Sequence, residues 1–465
     1  MCKGDDPTCP AFEVHHRQFV EDMARERRVF LASRFTGGVN TGGIAMAQPK
    51  SSATSSTTSS ARRHHLPANA GTVHWGYFSK NLKPQLEVDS GDIVTIETLT
   101  HQASDDHERM IEGDAGAESV YLWTKDKKGV FRRGAGEGDG KGLGVHICTG
   151  PVVVRGAEPG DVLEVRILDV TLRPSANPRF KGFAFGSNAA ANWGYHYKDF
   201  LDGDTREVVT IYELDATGGR NWARAVYNFR WPNVVDPFGV AHPTIDYPGL
   251  PVDHATTERN WNVLQGVRVP VRPHFGVMGL APKEADDVNS VPPSYTGGNI
   301  DNWRIGKGAS LYYPVAVAGA LLSVGDPHAS QGDSELCGTA VECSLTGTFQ
   351  LILHKAAGLG GTPLQDVDFP MIETHDEWVL QGFSYPNYLA DLGAAAQSEI
   401  FQKSSVDLAM RDAFRKMRRF LMTAKNLTED EAISLMSIAV DFGITQVVDG
   451  NWGVHAIVRK DIFPE

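Results

Sequence analysis

The stretch GPVVVRGAEPGDVLEVRILDVTL, residues 150–172, is two runs of aliphatic and β-branched residues broken by Gly-Ala-Glu-Pro-Gly-Asp. Branched side chains pack well on a pleated surface, Pro removes a ladder donor, and Gly-Asp favours a turn, so the stretch reads as strand, turn, strand. LEVDSGDIVTIETL (86–99) repeats the design, with its own Gly-Asp before an alternating strand. This allows a small internal duplication, although Gly-Asp turns are common enough in β proteins for coincidence to be the simpler account. TVHWGYF (72–78) and GVRVPVRPHFGVMGLAP (266–282) are further short runs between Gly, Pro and Asp signals. The expected fold is α+β and mainly β, with a sandwich or barrel-like body of many short strands over residues 71–400.

Beyond residue 400 the period changes. In SSVDLAMRDAFRKMRRFLMTAKNLTEDEAISLMSIAVDFG (404–443), Val406, Met410, Phe414, Met417 and Leu421 recur at helical spacing between basic residues. Thr428 followed by Glu431 has the form of a capping box, and Ile433, Leu435, Met436 and Val440 continue a second helix expected to stop at Gly443. Residues 401–465 therefore read as a helical pair and a closing strand packed on the body.

The first seventy residues differ from the rest. Arg27 and Arg28, followed by Val29-Phe30-Leu31 and later by Ala45-Met46-Ala47, resemble a twin-arginine export signal with its cleavage site, although Arg34 interrupts the apolar stretch. Export to the periplasm is the expectation, with a cytoplasmic location as the alternative. SSATSSTTSSARRHH (51–65) is a low-complexity linker.

Composition excludes several classes. The chain has 465 residues and a net charge of -13, which argues against a nucleic-acid partner, since backbone affinity comes from clustered Lys and Arg. No apolar run is long enough to span a bilayer. The five cysteines contain no CxxC pair, so neither a disulfide framework nor a cysteine zinc site is indicated. The Gly-rich RRGAGEGDGKGLG (132–144) follows no strand and opens no helix, so it is not a dinucleotide fingerprint.

The chemistry concentrates in SVGDPHASQGDSELCGTAVECS (323–344), where Asp326, His328, Asp333, Glu335 and Glu342 crowd together. Carboxylates at this density repel one another unless a proton, a cation or backbone N–H groups relieve the charge. The segment reads as a buried strand from Gly319 to Val324, then a turn carrying Asp326 and His328, then a second turn carrying Asp333 and Glu335. Asp and His two positions apart suit a divalent metal, and two crowded carboxyls with split pKa values suit acid–base work; both routes lead to hydrolysis.

HICTGPVVVRGAEPGDVLEVRILDV (146–170), HFGVMGLAPKE (274–284), SYTGGNIDN (294–302) and GDPHASQGDSELCGTAVE (325–342) resemble, in order, the signature blocks of the acetamidase/formamidase family. The insertion HERMIEGDAGAESVYLWTKDKKGVFRRG (107–134) is similar to that of the longer formamidase branch. The resemblance implies a mostly-β amide hydrolase that releases ammonia from short aliphatic amides such as formamide and acetamide, forms homo-oligomers and is associated with divalent metal. It places the acidic turn on Asp326, His328, Asp333, Glu335 and Glu342, and the Gly-Gly-Asn block on Gly297, Gly298, Asn299 and Asp301. Ser334 stands where a Gly is commonest, and His146 becomes a candidate for substrate contact particular to the branch.

Amide hydrolysis needs an activated water, donors for the oxyanion and a proton for the leaving amine. Glu335 or Asp333 is assigned as general base, while Asp326 and His328 bind one divalent ion, Zn2+ or Ca2+, or orient the base. No organic cofactor is expected. Asn299 and the backbone of Gly297 and Gly298 are the candidate donors, and Trp75, Trp193 or Trp303 the candidate walls of a small pocket. Two alternatives stay open: a thiol amidase using Cys148 or Cys337, and a non-enzymatic small-ligand binder in which the acidic turn holds a structural ion.

Overall fold

The computed structural model describes residues 61–124, 129–130, 144–245 and 249–464. The export-like segment and most of the Gly-rich 132–144 stretch lie outside the described residues.

Two open sheets face each other. The first has nine strands, in the order 63–66, 93–97, 345–354, 162–172, 310–314, 371–373, 377–383, 453–459, 440–446. The second runs 269–270, 222–230, 208–215, 183–190, 341–342, 322–330, 274–279, 297–299, with 147–154 also paired to 322–330 and flanked by 73–75 and 86–88. The architecture is thus a sandwich and not a barrel.

The stretch 150–172 shows how the layers are linked. Its first half lies in Ile147–Val154 of the second sheet and its second half in Val162–Leu172 of the first, so the Pro-Gly-Asp turn carries the chain from one sheet to the other. Asp161 closes this turn by accepting from the Glu158 N–H at 2.9 Å, and Asp92 does the same for Asp89 at 3.0 Å between Leu86–Val88 and Ile93–Glu97. The two similar passages therefore make the same inter-sheet turn. Because the side-chain period is two, Leu163, Val165 and Ile167 share one face and meet Val152, Val154, Phe275, Met278 and Val324 from the other sheet in the main core. The body also begins before Gly71, since Arg63–Leu66 already pairs in parallel with Ile93–Ile96.

The opposite face of the first sheet is covered by helices Val406–Ala424 and Glu429–Ala439. Ala409, Ala413, Met417, Phe420 and Leu421 pack on Leu380, Val454, Ala456 and Val458. The buried stripe is rotated from the one read in sequence, with Met410 37% exposed and the basic Lys416 inside, paired to Asp412 at 2.6 Å and donating to the Gln381 carbonyl at 2.8 Å. Thr428 and Glu431 form the capping box. The second helix ends before Gly443, which lies within strand Val440–Gln446; a Cβ there would stand 2.4 Å from the His455 ring, so packing and not helix termination requires this glycine.

Candidate active site

The cluster forms at the middle of the second sheet. Strand Leu322–Ser330 is buried along its whole length, so Asp326 and His328 sit within a strand and not in the turn expected from Gly-Asp-Pro. Two positions apart, they point to the same face. Asp326 takes φ +47°, a left-handed conformation that Asp tolerates better than most residues. The adjacent strand His274–Gly279 pairs antiparallel, with Gly276 beneath the cluster. A Cβ on Gly276 would lie 2.4 Å from Asp301 Oδ1 and from Asp326 Oδ2, so its absence makes the space.

Side chains from distant segments close around Asp326. His328 Nε2 lies 3.1 Å from Asp326 Oδ2 and 3.2 Å from Glu342 Oε1; His101 Nδ1 lies 3.4 Å from Asp326 Oδ1, and His146 Nε2 lies 3.7 Å from Asp326 Oδ2. Ser290 Oγ holds the other ring nitrogen of His146 at 2.9 Å. His274 Nδ1 faces the Arg272 carbonyl at 2.6 Å, and Gln331, whose Nε2 donates to the Asp301 carbonyl at 2.6 Å, turns its Oε1 to within 2.8 Å of His274 Nε2 and 3.1 Å of His328 Nδ1. Gln331 Oε1 only accepts, so His328 Nδ1 carries hydrogen, and Glu342 and Asp326 against Nε2 outweigh burial and hold the ring protonated.

Four buried groupings result among the described residues; Asp301, Asp326 and His328 form one, which keeps the Asp326–His328 pair read from the sequence, and His328, Glu335 and Glu342 another. His101, His146 and Asp326 bring two imidazole nitrogens and a carboxylate oxygen within 4.8 Å of one another; Asp301, Glu335 and Asp449 bring three carboxyls equally close. A cavity of about 360 Å3 opens onto both, lined by six carboxyls (Asp105, Asp301, Asp326, Glu335, Glu342, Asp449) and by His101, His146 and Asn299, with no Lys or Arg among the described residues. Among the described residues, His101 Nδ1, His328 Nε2, Asp326 Oδ1, Glu342 Oε2, Asn299 Oδ1, Asp449 Oδ2 and both Asp301 oxygens are buried without a hydrogen-bond partner. Orphaned acceptors and ring nitrogens aimed at one space, with no Lys or Arg among the described lining residues, fit a divalent ion or bound substrate.

The electrostatics divide the cluster. Burial works to raise Asp326, but His146 and His328 hold it well below the usual carboxylate range. Burial and then Asp301 push Glu335 well above that range, burial and then Asp326 push Asp301 to about 7, and burial with Asp301 and Glu335 raises Asp449. Burial takes His146 down to about 4. Burial works to lower His101 and His328, but Asp326 and Glu342 raise His101 and hold His328 well above the usual imidazole range, so the imidazole side pairs an anion with a protonated His328 beside a neutral His146, while the carboxyl side retains protons.

Of the residues read from sequence, Asp326, His328, Glu335, Glu342, Asn299, Asp301 and His146 are brought together. Asp333 is not: its side chain is 45% exposed, accepts from Trp303 Nε1 at 2.9 Å and lies 3.5 Å from Arg304, off the cavity wall. Gly297 and Gly298 also stay off the wall. The Gly297 N–H donates to the Ser294 carbonyl at 2.9 Å, and a Cβ on Gly297 would meet the Tyr313 ring at 2.5 Å, so close packing explains Gly297, while a φ of +91° explains Gly298. Cys148 packs with Phe78 and Val277, and burial pushes its thiol pKa far up; Cys337 sits outside the lining. This removes the geometric basis for a thiol nucleophile. Trp193 walls the cavity, whereas Trp75 is core and Trp303 lies between Arg272 and Arg304.

Sequence reading missed His101, Asp105, Asp449 and the supporting His274 and Gln331. His101 and Asp105 follow directly on strand Ile93–Glu97, the position from which loops present functional groups, and that was the available signal. Ser187 donates to Asp105 from the neighbouring strand.

A two-sheet body with a carboxylate–imidazole centre buried in the second sheet is the class that fold and site define. The model of the Acetamidase/Formamidase family matches residues 143–286 and 283–465, and the chain belongs to that family. An acetamidase of Mycolicibacterium smegmatis is 31% identical over 217 residues, covering 42% of this chain and 50% of that protein. A formamidase of Methylophilus methylotrophus is 31% identical over 214 residues, 42% of this chain and 48% of that protein. The chain spans about half the length of these curated relatives. The crystal structure of an acetamidase from Yersinia enterocolitica shares the fold with a TM-score of 0.58 at 22% identity, covering 88% of this chain and 95% of that one.

Proposed function

We propose that the protein hydrolyses the C–N bond of primary amides to a carboxylic acid and ammonia. The observation that carries the reading is the lining of the cavity: an anionic Asp326 among imidazoles on one side, three proton-retaining carboxyls on the other, and no Lys or Arg between them among the described residues. Family membership and the similarity to an acetamidase and a formamidase support it.

His101, His146 and Asp326 are the set that would hold a divalent ion, and two imidazoles with one carboxylate suit Zn2+ better than Ca2+, which takes oxygen ligands. Such an ion would supply Lewis-acid activation of water. The chain's own groups supply the rest. Asp326, whose carboxyl stays ionised, is placed to take the proton of the attacking water as its oxygen bonds to the carbonyl carbon. The orphaned Asn299 Oδ1 is placed to accept from the NH2 group of the substrate amide. As the C–N bond breaks, the Asp301–Glu335–Asp449 group gives a proton to the departing nitrogen. Glu335 is thereby recast from base to acid, because a carboxyl that keeps its proton serves the leaving group.

Ammonia release from formamide, acetamide, propionamide and benzamide tests the proposal; none from any of them overturns it. Elemental analysis of the purified protein, followed by chelation and readdition of Zn2+, tests the ion, with activity expected to fall and return. Less than about one-tenth equivalent of any divalent ion in fully active protein would end the metal reading. The same family likeness leads us to propose a homo-oligomer, checked by sedimentation, and the twin-arginine-like segment to propose export, checked by cell fractionation.

A further inference from the structure

We propose that the preferred substrate is a primary amide with a branched or aromatic hydrocarbon acyl group, seated on a wall built by Trp193, Trp231, Ile245 and Leu250. The proposal rests on the amide-hydrolase reading above and names the substrate class of the same cavity.

Size is the first argument. At the ~30 Å3 that a water occupies in the liquid, a cavity of about 360 Å3 has room for about a dozen waters. Formamide or acetamide would fill a fraction of it and leave the rest wet. A bulky acyl group would displace that water from apolar surface, which a small acyl group cannot do.

The second argument is that the wall is built and not incidental. The Trp193 indole N–H donates to the Gly338 carbonyl at 2.8 Å, and that of Trp231 to the His242 carbonyl at 2.9 Å. Trp193 lies so close to Gly338 that a Cβ there would be 2.7 Å from Nε1, so this glycine seats the indole. The Ile245 N–H donates to Glu207 Oε2 at 2.8 Å, and Leu250 is buried with Phe229, Val234 and Val252. Satisfied N–H groups leave the indole faces as apolar surface, fixed before any ligand arrives.

Polarity decides which end of the amide meets the wall. The nitrogen leaves as ammonia and becomes a cation in water, so it belongs with the carboxyls of Asp301, Glu335 and Asp449. The carbon side of the amide is left for the tryptophans. In the balanced reaction, R–CO–NH2 and H2O give R–COOH and NH3: the water oxygen bonds to the carbonyl carbon, the C–N bond breaks, and the proton taken from water is matched by the one delivered to nitrogen.

The test is kcat/KM for formamide, acetamide, isobutyramide and benzamide, with acetanilide as the amide whose bulk is on nitrogen. From acetamide to isobutyramide the expected rise is about fourfold per buried methylene, and benzamide should exceed acetamide at least tenfold. Ile245→Trp, which fills the wall, should lower the benzamide-to-acetamide ratio at least tenfold; if this variant fails to fold, the wild-type series alone decides. Highest kcat/KM for formamide or acetamide, with a steady fall as the acyl group grows, overturns the proposal while leaving the hydrolase reading intact. Acetanilide preferred over benzamide overturns it by assigning the wall to the amine side. No ammonia from any primary amide removes both.

Discussion

Two clusters of charge lie in this protein, and they are built on opposite plans. Around Arg173, Nη1 meets Glu97 Oε2 at 2.7 Å, Nε meets Asp114 Oδ2 at 2.6 Å and Nη2 meets Asp114 Oδ1 at 2.9 Å. Glu97 also faces His65 at 3.0 Å, and Asp114 caps helix Ala115–Val120 by accepting from the Gly116 and Ala117 N–H groups. Each carboxylate has a donor, and the knot ties strand Ile93–Glu97, that helix and the end of strand Val162–Leu172. Around Asp326 six carboxyls share a cavity with imidazoles and, among the described residues, with no guanidinium or ammonium, and several oxygens are orphaned. A cluster that satisfies itself stabilises the fold; one that leaves buried groups unsatisfied is held together by its surroundings for something that arrives later.

The comparison can be broken at either end. Asp326→Asn should cost about a thousandfold in kcat, within the range for loss of a positioned acid–base group, and should lower the Tm of chelator-treated protein, because His146 and His328 stabilise the ionised carboxylate in the fold. An unchanged or raised Tm in that state would show that the imidazoles do not hold the charge. Glu335→Gln should fold normally and lose about a hundredfold in rate, whereas Asp333→Asn, outside the cavity, should change the rate less than about threefold; reversed magnitudes would restore Asp333 as the working acid. Arg173→Met strips both carboxylates of their partner, and for side chains that keep some solvent contact a loss of about 2 kcal/mol by urea unfolding is expected, with kcat unaltered.

The smallest effect sharpens the contrast through pH. Burial works to raise Glu97 and Asp114, but Arg173 outweighs it and both titrate below their ordinary values. The unfolded chain then binds more protons once pH drops below about 4. The stabilisation is present above that point and fades as pH falls through the folded values. Arg173→Met should flatten this acid limb; an unchanged limb would show that other carboxylates produce it.

Much of this was legible in the sequence, and the failures have physical causes. The turns at Asp92 and Asp161, the capping box at Thr428 and the gathering of Asp326, His328, Glu335 and Glu342 follow from local chemistry, which a linear reading captures. Asp326 and His328 were placed in a turn because Gly-Asp-Pro breaks strands in isolation; tertiary pairing on both sides overrides it. Met410 and Lys416 exchanged roles because Asp412 neutralises Lys416 inside the helix–sheet layer. His101 and Asp449 join the site only through pairings between distant segments, which no local pattern encodes.

That last feature bears on folding kinetics. Because His101, Asp326 and Asp449 come from opposite ends of the body, the centre has high contact order and closes only after the sandwich core has brought those segments together. Until then its carboxyls are solvated and do not repel one another, so the repulsion enters after the rate-limiting step and acts on escape from the native state. A bound cation would therefore leave the refolding rate nearly untouched and slow unfolding, making the ligand a determinant of the protein's lifetime more than of its path to the fold.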